Sequence, residues 1–154
     1  MSYIVGMDLT TNDPTPQFKL GAIGQDYQGY LYKYVQYNQG AGAIAAVAGN
    51  ITGYYAPGGV SAGTTTVATS DVSDTAGAMA GMLMAALTNL YYGWVQIKGR
   101  ATITPAFVSG ADGNALTLSS TTDGTVKVAG AVTDAGGAVS IDASAKILAL
   151  DCVF

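Results

Sequence analysis

Three observations predict an all-β protein, an antiparallel barrel or sandwich. Its acidic charge comes from ten aspartates and no glutamate, and a chain poor in Glu and Lys but rich in Asp, Gly, Thr and Ser favours turns and strands over helices. Past Gly99 short apolar runs alternate with Asp-Gly and Gly-Gly turns at roughly 8–12-residue spacing, the rhythm of antiparallel sheets. Leu90-Tyr-Tyr-Gly-Trp-Val-Gln-Ile-Lys-Gly99 holds the only tryptophan and alternates, with Tyr92, Trp94 and Gln96 on one face and Val95 and Ile97 on the other. It is expected as a central strand with one aromatic and one aliphatic face.

At 154 residues the chain fits one domain able to bury a core without disulfides or metals. Residues 1–19 read as an N-terminal arm, because Pro14 and Pro16 in Asn12-Asp-Pro-Thr-Pro16 cannot continue a paired strand. Residues 20–154 form the β domain, opening with a first core strand from Phe18 to Ile23 and a turn at Gly24 to Gly29. The strand Tyr30 to Tyr37 follows, and Tyr32-Lys-Tyr-Val-Gln-Tyr37 echoes Tyr92-Gly-Trp-Val-Gln-Ile97 sixty positions later. The dense tyrosines of this region are read first as strand residues that bury a ring and leave the hydroxyl wet, and second as a binding platform.

Ala41 to Ala48 is almost pure small apolar residue, suited to an inner barrel wall or to close contact with another subunit, and Asn50 to Tyr55 continues it after a Gly-Asn turn. Pro57 to Gly63 reads as a loop and Thr64 to Ser70 as a strand. Asp71 to Leu90 is open between two structures. Asp74 can cap a short helix around residues 74–88 with Met79, Leu83, Ala86, Leu87 and Leu90 on one face; Gly77 and Gly81, and the immediate run into the tryptophan strand, favour a strand with a turn near Thr88-Asn89. The closing run Ile147 to Phe154 reads as a strand locked in the sheet, and Cys152 within it as a buried thiol.

The chemistry absent from the sequence narrows function. With no histidine, no glutamate and one cysteine, Ser-His-Asp and Cys-His catalysis and the common zinc sites are excluded, and no enzyme is expected. The pairs Asp71 with Asp74 and Asp112 with Asp123 sit in turn contexts; Asp112-Gly-Asn114 lacks the ligand spacing of a calcium loop. Neither Gly40-Ala-Gly42 nor Gly77 to Gly81 completes a nucleotide-binding motif, so no cofactor is expected. A net charge of −4 with one arginine makes nucleic acid and anionic membranes poor partners. The longest apolar run, Ala76 to Leu87, falls short of the roughly 20 residues of a membrane span, and the start meets Asp8 without a basic region, so no secretory signal is expected.

The Tyr34-Val-Gln36 strand, the run Ala80-Gly-Met-Leu-Met-Ala-Ala-Leu87 leading into Tyr91-Tyr-Gly-Trp-Val-Gln-Ile-Lys-Gly99, and the closing Ala145-Lys-Ile-Leu-Ala-Leu-Asp-Cys152 resemble the head decoration, or cement, proteins of tailed bacteriophages. The resemblance implies a β-rich, often trimeric structural protein, made in the host cytoplasm, that binds the major capsid protein on the capsid exterior and stabilises the expanded head. The expected interface residues are Pro14 and Pro16 of the arm, Ala45 and Ala46 of the small-residue segment, and Tyr54 and Tyr55 as larger anchors. The alternative is a tail, fibre or adhesin module that stacks its tyrosines on glycans.

Overall fold

The computed structural model of the chain describes residues 6–56, 65–131, 134 and 136–152. These are all-β: the strands are β1 (Ile23–Gln25), β2 (Leu31–Tyr37), β3 (Ile51–Tyr55), β4 (Val67–Thr69), β5 (Thr75–Leu83), β6 (Tyr92–Thr102), β7 (Ala115–Leu118), β8 (Val126–Val128), β9 (Ala138–Asp142) and β10 (Ile147–Asp151). β2, β4, β3, β5 and β6 follow one another around a barrel, closed where β6 pairs with β2. From the far half of β6 the sheet continues outward through β10, β9, β7 and β8, while β1 adds to the start of β2.

The two strands of similar sequence are the pair that closes the barrel. β2 and β6 run antiparallel with Tyr34 opposite Trp94 and Tyr32 opposite Gln96, so the alternation of both strands sorts the same way. Val35, Tyr37, Val95 and Ile97 point into the barrel with Leu83, which lies opposite Val95. Tyr32, Tyr34 and Trp94 form a second, separate cluster. Aliphatic inside and aromatic outside is the two-faced pattern expected of the tryptophan strand.

The strand reading of the ambiguous stretch holds, and the short helix around residues 74–88 is not formed. Asp71, not Asp74, caps a single 3-10 turn at Val72–Asp74 through its side chain and the Ser73 amide, and β5 starts at Thr75. Gly81 explains why a strand wins. The register against β3 slips between Thr52 and Gly53, a bulge that bends β5 toward β6. Gly81 takes φ +141, and a Cβ there would lie 2.5 Å from the Gln96 carbonyl oxygen.

Four further expectations are corrected. Residues 18–22 are not strand: Gly21 adopts φ +81, Gly21 and Ala22 meet β2 only through the Tyr34 backbone, and the ladder with β2 runs from Ile23 to Gln25. Ala41 to Ala48 is not a barrel strand but a turn-rich loop. Pro105 to Val108, one of the short runs past Gly99 expected to be strands, follows β6 without forming one. The barrel is not wholly antiparallel, because β2 and β4 run parallel, with Gln36 opposite Val67. The Pro57 to Gly63 loop lies outside the described residues.

Candidate interaction surfaces

The described part of the N-terminal segment, from Met7 to Leu20, is strapped across the aromatic face of the β2–β6 pair. Asp13 and Tyr92 exchange two backbone hydrogen bonds of 2.9 Å. The Tyr34 hydroxyl donates to the Asp13 carboxylate at 2.6 Å and accepts from the Gln17 amide at 3.2 Å. Asn12 and Thr88 bond to each other twice. Phe18 then packs its ring 5.2 Å from Tyr34, edge-on, and 5.3 Å from Trp94, geometries worth about 0.5–1.5 kcal/mol per pair beyond area burial. Met7, Leu9 and Leu20 complete the cover. Burial, and then the bond to Asp13, push the Tyr34 hydroxyl up to about 12. Pro14 and Pro16 sit exposed on the outer side of this strap.

The small-residue segment is a surface loop tied down through its backbone. The Gly42 amide donates to Asp71 at 2.8 Å and the Ala41 amide to Asp74 at 2.6 Å; the Tyr37 hydroxyl donates to the Ile44 carbonyl at 2.8 Å and Thr104 to the Ala48 carbonyl at 2.6 Å. The Ser73 hydroxyl, and after it the Gly42 and Ser73 amides, hold the Asp71 carboxyl below the usual carboxylate range. Ala46 is buried, while Ala45 and Val47 face solvent. Leu90, half exposed, sits nearby at the end of the β5–β6 turn, its amide bonded to the Tyr37 carbonyl. Of the two tyrosine anchors expected here, Tyr54 is 1% exposed inside the barrel and offers nothing to a partner; its inward parity on β3 decides this. Tyr55, the next residue, is half-buried at the strand end.

Sequence reading did not single out Lys33. It shares the inward side of β2 with Val35 and Tyr37 by simple alternation, and that parity was the available signal. Only 3% exposed, its ammonium donates to the Tyr54 hydroxyl at 3.1 Å and lies 5.0 Å from that ring's centroid. Burial brings its pKa down to about 8. The sole ion pair among the described residues, Lys98 with Asp151 at 3.7 Å, is elsewhere. Cys152 is buried, as its place in the closing strand suggests; burial and then Asp151 push its thiol up to about 12.

The aspartates hold the fold's own turns and pairs. Asp8, Asp26, Asp112, Asp134 and Asp142 accept backbone amides at loop positions, Asp71 and Asp74 fasten the small-residue loop, and Asp123 accepts the Val72 amide at 2.9 Å. The two aspartate pairs, Asp71 with Asp74 and Asp112 with Asp123, are therefore engaged in loops. Among the described residues no three Cys, Asp or Glu side chains gather to hold a metal ion, and no helix is long and apolar enough to cross a membrane. Comparison with protein-family models, with curated proteins and with solved structures finds no match to this chain.

Proposed function

We propose that the chain is a structural virion protein that binds the outside of a phage capsid and stabilises the expanded head. The observation that carries this reading is the division of labour on the surface. The carboxylates are engaged in the protein's own turns, while the side chains left facing outward on the tied-down loop are apolar: Ala45, Val47 and the neighbouring Leu90. Such a surface binds by burying apolar area against another protein. The major capsid protein is the partner, and a trimer of this chain the docking unit. The described residues of the arm lie on their own barrel, so Pro14 and Pro16 act from the strap rather than from a free reach over the lattice.

Electron microscopy of virions carrying the protein tests the reading: density on the outer capsid wall is expected, and density confined to the tail overturns it. Within that experiment, Ala45→Lys leaves the fold intact and removes the capsid density, whereas Ala46→Lys disrupts the core. A glycan-binding reading keeps one foothold in Tyr27, 96% exposed beside a hollow lined by Met7, Leu9, Gln25 and Asp26. Glycan binding lost in Tyr27→Ala would favour it.

A further inference from the structure

The strap contains one peptide bond that differs chemically from the rest of the chain. Of the prolines, Pro16 and Pro105 follow threonine and Pro57 follows alanine; Pro14 alone follows a carboxylate, that of Asp13. An Asp-Pro bond carries its own nucleophile, because the side-chain carboxylate and the main-chain carbonyl carbon belong to one residue and meet without any loss of translational freedom. The Pro14 nitrogen is a tertiary amide that leaves as a secondary amine once protonated. Pro14 is exposed and Asp13 half-buried, so water reaches the bond.

The fold engages both reacting groups, in opposite senses. The Tyr92 amide donates to the Asp13 carbonyl oxygen at 2.9 Å, and a donor at that oxygen favours the oxyanion of an attack on the carbonyl carbon. The nucleophile, however, is withheld. The Tyr34 hydroxyl donates to Asp13 Oδ2 at 2.6 Å, a short charge-assisted bond that stabilises the carboxylate as it stands and fixes its direction. Tyr34 is itself held by the Gln17 amide on its hydroxyl and by the rings of Phe18 and Trp94.

We propose that Asp13–Pro14 is a self-cleavage site guarded by the closed strap: when the Tyr34 clasp lets go, the Asp13 carboxylate attacks its own carbonyl carbon and the chain is cut ahead of Pro14. Asp13 Oδ1 forms the new C–O bond, the C–N bond to Pro14 breaks, and the prolyl nitrogen takes a proton from solvent and becomes a new amino terminus. Water then opens the cyclic anhydride and leaves two carboxyl groups on Asp13, so the net change is hydrolysis of one peptide bond. The cut divides the strap. Phe18 and Leu20 stay tethered to β1, whereas Met7 and Leu9 keep only the Asn12–Thr88 and Asp13–Tyr92 bonds and their packing on the aromatic cluster. A reversible opening thereby becomes a permanent one that uncovers Tyr34 and Trp94. The proposal rests on the strap alone and is independent of the capsid reading.

The test is intact-mass measurement of the purified full chain held for days in mild acid, about pH 5, with the cut located by N-terminal sequencing. In concentrated urea the wild type is expected to be cut ahead of Pro14, and the folded wild type to be cut about tenfold or more slowly, the factor that a charge-assisted hydrogen bond sets. Tyr34→Phe, folded by far-UV circular dichroism, is expected to be cut about tenfold or more faster than folded wild type; Phe18→Ala, which loosens the strap from its other end, serves in place of a Tyr34 variant that fails to fold. Asp13→Ala is expected to stay intact in urea and when combined with Tyr34→Phe. An uncut chain in urea, a folded wild type cut as fast as the unfolded chain, a loosened variant cut no faster than wild type, or a cut ahead of Pro14 that survives Asp13→Ala each overturn the proposal.

Discussion

Lys33 shows how one residue sets a measurable property of the molecule. A buried lysine with no carboxylate partner is destabilising by desolvation, and one tyrosine hydroxyl with a ring face offsets only part of that. Its native pKa of about 8 lies below the roughly 10.4 of an unfolded lysine, so between these values the unfolded chain holds more protons. Lys33 therefore destabilises the fold fully below pH 8, and the penalty is relieved as pH rises toward the unfolded value. Lys33→Met is expected to stabilise the protein by about 1–3 kcal/mol at pH 7, with the advantage shrinking as pH approaches 10. Cys152 has the opposite sign: its raised thiol pKa gives stability that is present below the unfolded value and is lost as pH climbs toward 12. That contribution is common to both proteins and cancels in the difference. Thermal melts of the pair across pH 6.5–10 check this, and a variant that melts lower than wild type at pH 7 shows that the tyrosine contacts outweigh desolvation.

At the scale of elements, the strap on the β2–β6 pair is the part that the sequence read least well. Its prolines correctly ruled out a strand, but whether such a segment projects or lies down is decided by side chains far along the chain: Tyr34, Thr88, Tyr92 and Trp94. The Tyr34 hydroxyl is the clasp. Tyr34→Phe is expected to cost about 1 kcal/mol and to loosen residues 12–18, read as faster amide exchange at Gln17 and a red shift in Trp94 emission; unchanged exchange there would place the hold in Phe18 alone. The tryptophan strand and its tyrosine echo were legible because alternation is a local property. The helix-or-strand ambiguity of β5 turned on Gly81, whose need for a glycine appears only once the Gln96 carbonyl is set against it. Likewise Ala41 to Ala48 has a composition that suits a wall, and becomes a loop because Asp71 and Asp74, some thirty residues on, capture its amides.

At the scale of the whole molecule, the sheet consists of a closed barrel and an extension that meet along the far half of β6, where β10 lies between β6 and β9. Removing residues 147–154 takes away that link together with Leu148 and Leu150 of the common core. The expected result is loss of amide protection in β7, β8 and β9 while β2 to β6 keep theirs; uniform loss would mean that barrel and extension form one cooperative unit. Closure has a consequence in time as well. β2 is complete early in synthesis, yet its partner β6 lies sixty positions downstream, since Tyr34 faces Trp94. At ribosomal rates of about 5–20 residues per second, the nascent chain presents Tyr34 and Val35 on a strand without its barrel-closing partner for several seconds before β6 emerges. The yield of folded protein in the cell is therefore governed by how well that waiting strand is shielded, and a circular permutation that opens the chain between β2 and β3 makes β6 before β2, so that β2 meets its closing partner as it emerges.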